Sequence, residues 1–303
     1  MAKHFSLAEL SSYVPNGDLE HTKELVLKNL EISSIEDLTQ SKELRKIDLS
    51  RNKLESISFL KYCWNLTDVN LSNNNLSSVD DLVNLECVKV LNISNNNITS
   101  LDCLYRNTGL QKSLKVLIAN NNKIKHIPDL SQFKELETVV LSHNDATDID
   151  NPKNHCASLK KISLSNNLLR EFPFGQNFNL VQELRLNNNK ILRISNDISY
   201  MRNIKILELG NNYISDVFPL LTLNKIKILN ISKNPCISTE NNDQLLETIK
   251  EKLTNIETFN GVTITRKKNG LRKKSKPNPN KVKKDLKHKH NNSLKNKVVS
   301  NDE

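Results

Sequence analysis

Nine asparagines recur along the chain at a nearly fixed step, and each sits in the same aliphatic frame. They are Asn52, Asn74, Asn96, Asn122, Asn144, Asn167, Asn189, Asn212 and Asn234, separated by 22, 22, 26, 22, 23, 22, 23 and 22 residues. The frame reads LxxLxLxxNxL, with Ile, Val or Ala accepted at the Leu positions. A clear copy is Leu44, Ile47, Leu49, Asn52, Leu54, and the last is Ile226, Leu229, Ile231, Asn234. The copy around Asn144 is weaker and ends on Ala146. An imperfect first copy has Leu25, Leu27 and Ile32 in frame but Leu30 where the asparagine belongs. A fixed period of this length marks an array of small units, none of which can bury its own apolar face, so that stacking is required.

The LxL step is a short strand whose side chains alternate in and out, so each unit adds one parallel strand about 4.8 Å from the last. The frame asparagine sits where the chain leaves the strand, and its amide can satisfy backbone groups that the turn would otherwise strand without partners. A unit of 22 residues leaves too little chain for a long helix. The expected fold is therefore α/β, a leucine-rich-repeat solenoid: a right-handed parallel β-strand horseshoe with short helical or 3₁₀ turns on the convex side. The expected organisation is an N-terminal flank (1–23), about ten repeats (24–236), a C-terminal cap (237–264) and a basic tail (265–303). Two irregular stretches, Tyr105 to Ser113 and Asp150 to Ala157, are expected to be loops lying away from the sheet.

These frames resemble those of intracellular leucine-rich-repeat proteins with 22-residue units, typified by the SDS22-type regulators of protein phosphatase 1. The resemblance covers roughly Glu24 to Ile264. After Asn234-Pro235-Cys236, the run Leu245, Leu246, Ile249, Leu253, Ile256, Phe259, Asn260-Gly261-Val262 is similar to that group's C-terminal cap, with Phe259-Asn260-Gly261 in place of its Leu-Asp-Gly step. Physically, such a segment covers an end layer that would otherwise expose apolar surface. The resemblance implies macromolecular binding along the concave face. The aromatic and acidic residues attributed to phosphatase binding do not transfer, because the central outward column of this chain has no aromatic.

That column, the outward residue of each LxL, runs Val26, Asp48, Asn70, Asn92, Ile118, Val140, Ser163, Arg185, Glu208, Asn230. The column two residues earlier runs Glu24, Lys46, Asp68, Val90, Val116, Thr138, Lys161, Glu183, Ile206, Ile228. Outward Val90, Val116, Ile118 and Val140 fall on neighbouring strands with polar residues around them, the pattern of a binding patch with a wet rim. Branched residues also favour strands in their own right. Arg185 with Glu183 and Glu208 forms a mixed-charge patch. Together Val90, Val116, Ile118, Val140, Arg185 and Glu208 are the candidate partner-binding residues.

Signs of chemistry are lacking. The five cysteines, Cys63, Cys87, Cys103, Cys156 and Cys236, are odd in number and form no CxxC pair. That spacing points to reduced thiols in an intracellular compartment. The histidines show no HExxH spacing, and no phosphate-binding glycine loop occurs. His155-Cys156 lacks a third group to orient it as a nucleophile–base pair. No catalytic residue, cofactor or metal is expected. The first ten residues, MAKHFSLAEL, lack a continuous apolar stretch, so no secretory leader is expected. No run of about 18 apolar residues is present, so no membrane insertion is expected either.

The formal charge of +10 is concentrated at one end. Residues 265–303 hold 14 Lys and Arg against 3 Asp and Glu, leaving 30 basic and 31 acidic residues in the rest. Arg266, Lys267, Lys268, Arg272, Lys273, Lys274 and Lys276 suit a nuclear import signal or contact with nucleic acid or an acidic protein. No aromatic is interleaved with them, so base stacking is not expected. The leading reading is a noncatalytic protein-binding adaptor or scaffold of the nucleus or cytoplasm. The alternatives are an SDS22-type regulatory subunit of protein phosphatase 1 and a nucleic-acid-associated protein acting through its tail.

Overall fold

A computed structural model of the chain describes residues 3–237 and 242–265. Each repeat contributes a three-residue strand, made of the first two residues of its LxL step and the residue before them. The first strands are β1 (Lys3–Phe5), β2 (Glu24–Val26), β3 (Ile32–Ile35), β4 (Lys46–Asp48), β5 (Asp68–Asn70), β6 (Val90–Asn92) and β7 (Val116–Ile118). Then come β8 (His126–Ile127), β9 (Thr138–Val140), β10 (Asp148–Ile149), β11 (Lys161–Ser163) and β12 (Glu183–Arg185). The last are β13 (Ile206–Glu208), β14 (Ile228–Asn230), β15 (Thr258–Phe259) and β16 (Val262–Thr263). One 12-stranded sheet runs β2-β4-β5-β6-β7-β9-β11-β12-β13-β14-β15-β16. Its strands pair in parallel, except that β16 returns antiparallel to β15.

The register is the same at each step: Leu25, Ile47, Val69, Leu91, Leu117, Val139, Ile162, Leu184, Leu207 and Leu229 lie side by side. All ten are buried. The flanking frame leucines, such as Leu49, Leu54, Leu71 and Leu76, turn inward and complete the layer. Each fully buried aliphatic side chain contributes about 1.5–3 kcal/mol. The return segments make short 3₁₀ turns, for example Ser58–Leu60, Asp80–Asn84 and Phe218–Thr222, with Leu60, Leu82 and Leu220 buried beneath them.

The frame asparagines join neighbouring repeats. In Asn74, Nδ2 donates to the carbonyls of Leu49 and Leu71, each at 3.0 Å, while Oδ1 accepts the Leu54 N–H at 3.1 Å. The same three-way pattern recurs at Asn96, Asn122, Asn144, Asn167, Asn189, Asn212 and Asn234. At Asn52 the oxygen accepts from both Leu30 and Ile32, so the first copy uses its neighbour's amide in place of its own. The residue just before each frame asparagine takes positive φ, from Arg51 and Asn73 through His143 to Lys233. Asparagine tolerates that left-handed conformation better than other side chains do.

Both ends of the stack are covered. A short helix α1 (Leu7–Ser11) starts on a capping box in which Ser6 and Glu9 bond each other's backbone. Strand β1 pairs with β3, and Phe5, Leu10, Val14 and Leu19 join the repeat core. The first copy thus departs from the frame beneath a covering layer and not against solvent. At the other end Ile249, Leu253, Ile256 and Phe259 join the same core. Ile249 comes from a helix over Asn242–Lys252, Phe259 from β15, and Leu253 and Ile256 from the turn between them. The turn into β16 uses Asn260 and Gly261, both at positive φ, and Asn260 Oδ1 accepts the Ile231 N–H at 2.8 Å.

One expectation is corrected. Residues of the 26-residue interval form two helices, α2 (Asp102–Arg106) and α3 (Thr108–Ser113), and not a loop. With α2 and α3 so placed, the 242–252 helix is α4. Cys103, Leu104 and Leu110 are buried there, and Tyr105 meets Phe133 edge-on. The buried Asn107 bonds the carbonyls of Leu82 and Leu85 and caps the Leu110 N–H. The extra residues are spent on burying apolar side chains, which a loop would not do. The stretch after β10 is irregular, as expected, but it is tied down by Pro152 and Cys156, both buried.

Candidate functional site

Outward side chains of the ten repeat strands form one continuous face. Residues in register on neighbouring strands are closest across this face, so cross-strand pairs decide its character. Val90 is in register with Val116, and Ile118 with Val140. Val116 and Ile118 are two apart on β7 and so share the face. All four are half-buried. They make one apolar island on β6, β7 and β9, with Asn92, Thr138 and Ser163 at its margins.

The charged candidates lie elsewhere on the face. Arg185 on β12 donates from Nε to Glu183 at 2.6 Å and from Nη1 to Glu208 on β13 at 3.2 Å. Glu208 also accepts from Asn187 Nδ2 at 2.6 Å, and Lys161 pairs with Glu183 at 3.2 Å. Burial works against the Glu183 charge, yet the bonds from Arg185 and Lys161 hold its carboxyl below the usual range. The bond to Glu183 raises the Arg185 guanidinium. This network satisfies itself. The network reaches β11 through Lys161, but Arg185 and Glu208 stand on β12 and β13, apart from the island on β6, β7 and β9, so the six candidates fall into two groups.

Several polar outward residues serve the fold. Asp48, Asn70, Asn92 and Asn230 accept the N–H of the serine two residues on, at 2.8–3.2 Å. Asn70, Asn92 and Asn230 accept the serine hydroxyl as well. A depression of about 260 Å³ opens on the same face between β2 and β7. It is lined by Val26, Val90 and Ile118, with Glu24, Lys46, Asp48 and Asp68 around them. Val26, at 50 % exposure, was not among the candidates. It belongs to the imperfect first copy, although its place in the outward column carried the signal.

The remaining reactive groups are scattered. Burial pushes the Cys156 thiol up to about 12, while its neighbour His155 is exposed, an arrangement opposite to that of an activated nucleophile. Among the described residues no group of three or more His, Cys, Asp or Glu is placed to hold a metal ion. His126 bridges two carboxylates on the far side of the stack, its Nδ1 to Asp148 and its Nε2 to Asp150 at 3.3 Å. Arg266, Lys267, Lys268, Arg272, Lys273, Lys274 and Lys276 lie outside the described residues.

Among solved structures the chain is similar to an internalin (InlF) of Listeria monocytogenes, at 23 % identity and a TM-score of 0.60. That alignment covers 84 % of this chain and 86 % of the internalin. The fold is the leucine-rich-repeat solenoid. The APL1 leucine-rich-repeat domain aligns at 22 % identity and a TM-score of 0.59, over 76 % of this chain and 65 % of that one. A chain of the LRIM1/APL1C complex aligns at 19 % identity and a TM-score of 0.57, covering 76 % of this chain and 51 % of that one. No protein-family model and no curated protein sequence matches this leucine-rich-repeat chain.

Proposed function

We propose that this leucine-rich-repeat protein is a noncatalytic adaptor that binds another protein across the outward face of its sheet. The observation that carries the reading is the island of Val90, Val116, Ile118 and Val140. Four branched side chains stand together where a solvated sheet would alternate with polar ones. Covering them gains about 25 cal/mol for each Å² of apolar surface removed from water. The similarity to a chain of the LRIM1/APL1C complex supports protein binding in general.

Narrower readings rest on less. Regulation of protein phosphatase 1 in the SDS22 manner is supported by the 22-residue frame and by the covered C-terminal end. Residence in the nucleus or cytoplasm is supported by five cysteines that form no disulfide and by the basic tail, and contact with nucleic acid or an acidic protein by the charge of that tail. If the tail directs nuclear import, changing Lys273 and Lys274 shifts a tagged protein toward the cytoplasm, whereas changing Lys295 and Lys297 leaves its distribution unchanged.

The test of the main reading is affinity purification from the native source, with Ile118→Glu and Val140→Glu compared against the unaltered chain. Both variants are expected to lose the protein partners while melting within about 3 °C of the parent, because a partly exposed site costs little stability. Retention of the same partners at full yield by both variants overturns the reading.

A further inference from the structure

We infer that the depression between β2 and β7 is a subsite for a branched aliphatic side chain flanked by lysine or arginine on an extended segment of the protein partner. The inference rests on the adaptor reading and adds to it the chemistry of what is bound. Three features of the depression point the same way.

The first is size. At about 260 Å³ the depression is smaller than the roughly 300–1,000 Å³ of small-molecule sites. It has room for a branched aliphatic side chain together with parts of the residues beside it, but not for a typical small-molecule ligand. The second is the floor. Val26, Val90 and Ile118 line it, over the buried Ile47 and Val69. Val90 and Ile118 also belong to the apolar island, so the subsite continues the proposed interface and is not a separate cavity.

The third is charge. Glu24, Asp48 and Asp68 line the depression against a single cation, Lys46. Lys46 lies in register between Glu24 and Asp68. Asp48 is engaged by the Ser50 N–H and Asp68 by the Thr67 hydroxyl, but neither bond neutralises a carboxylate. Lys23 and Arg45 precede β2 and β4 and are outside the lining. An approaching phosphate backbone would meet these carboxylates with like charge, whereas a cationic flank would meet them with opposite charge. An exposed sheet face with spaced outward side chains also suits an extended peptide, whose alternate side chains reach alternate positions.

The experiment uses the full chain labelled at Ile and Val methyls, titrated with Ac-Lys-Ser-Ile-Ser-Lys-amide and with Ac-Glu-Ser-Ile-Ser-Glu-amide and followed by NMR. The charged residues stand two positions from the isoleucine and so on its side of an extended chain. The lysine peptide is expected to shift the Val26, Val90 and Ile118 methyls saturably, and the glutamate peptide several-fold less. In Glu24→Gln combined with Asp68→Asn, the preference for the lysine peptide should disappear. Asp48 is left in place because it caps the Ser50 N–H. Equal shifts from both peptides, or no shift at these three methyls, overturn the inference even if the double variant does not fold. Shifts confined to Val140 and strands beyond it also overturn the subsite while leaving the adaptor reading intact. Failure of the adaptor reading shows separately, as unaltered partner recovery by Ile118→Glu and Val140→Glu.

Discussion

An asparagine amide buried in a turn supplies two donors and an acceptor at one point, and at Asn74 all three bond backbone of two successive repeats. Removing it leaves the buried Leu54 N–H without a partner and takes one donor each from the Leu49 and Leu71 carbonyls, which Asn52 and Asn96 still serve, a loss of about 1–3 kcal/mol. Asn74→Ala should therefore destabilise the protein by about that amount, while Asn75→Ala, next to it but exposed, should change stability by less than about 0.5 kcal/mol. Denaturant unfolding of the two variants side by side checks this. The periodic asparagines were legible in the sequence because their chemistry has few substitutes. The left-handed residue before each one was not, because Arg51, His143 and Lys233 occupy three of those places. The remaining signal is the Asn-Asn doublet, as at Asn73-Asn74 and Asn95-Asn96. The polar outward column was legible as exposed surface, but the capping role of Asp48, Asn70 and Asn92 was visible only as a serine two residues on.

At the scale of elements, the insertion at residues 102–113 carries the clearest departure from expectation. Its length marked it as irregular, but a count of residues does not show whether the extra chain is buried. Leu110 is buried in the common core, so Leu110→Ala should cost about 2–5 kcal/mol, where a loop would tolerate it. The small parallel pair β8–β10 was also not foreseen, since two-residue strands leave no periodic mark. His126 ties the pair through Asp148 and Asp150. Burial opposes its charge, but the Asp148 bond and the Asp150 carboxylate outweigh this and raise its pKa above 6.5. A neutral imidazole can donate to only one of the two carboxylates. With the folded pKa raised, the stabilisation is fully present below pH 6.5 and is lost as pH climbs through the folded value. The melting temperature of the parent should therefore fall more between pH 6 and about 8.5 than that of His126→Gln. Parallel falls in the two proteins would show that the bridge contributes nothing.

At the scale of the molecule, residues 24–236 form a stack in which each unit repeats the same layer, so a pattern seen once in the sequence was seen ten times. That redundancy made the sheet, its register and the inward residues readable from the sequence alone. The outward face has no such redundancy. Its residues are free to differ from strand to strand, and their grouping depends on register, which brings Val90 to Val116 and Ile118 to Val140 but keeps Arg185 three strands away from Ile118. The depression at β2 to β7 depends further on the shape of the sheet, which no residue pattern carries. Amine-reactive cross-linking of the purified partner complex tests the adaptor reading most directly, because lysines occur on both sides of the stack. Lys46 and Lys161 stand on the outward face, whereas Lys61 and Lys125 stand on the return side. Cross-links to the partner should concentrate at Lys46 and Lys161. Cross-links at Lys61 and Lys125 with none at Lys46 or Lys161 would contradict binding through the outward face.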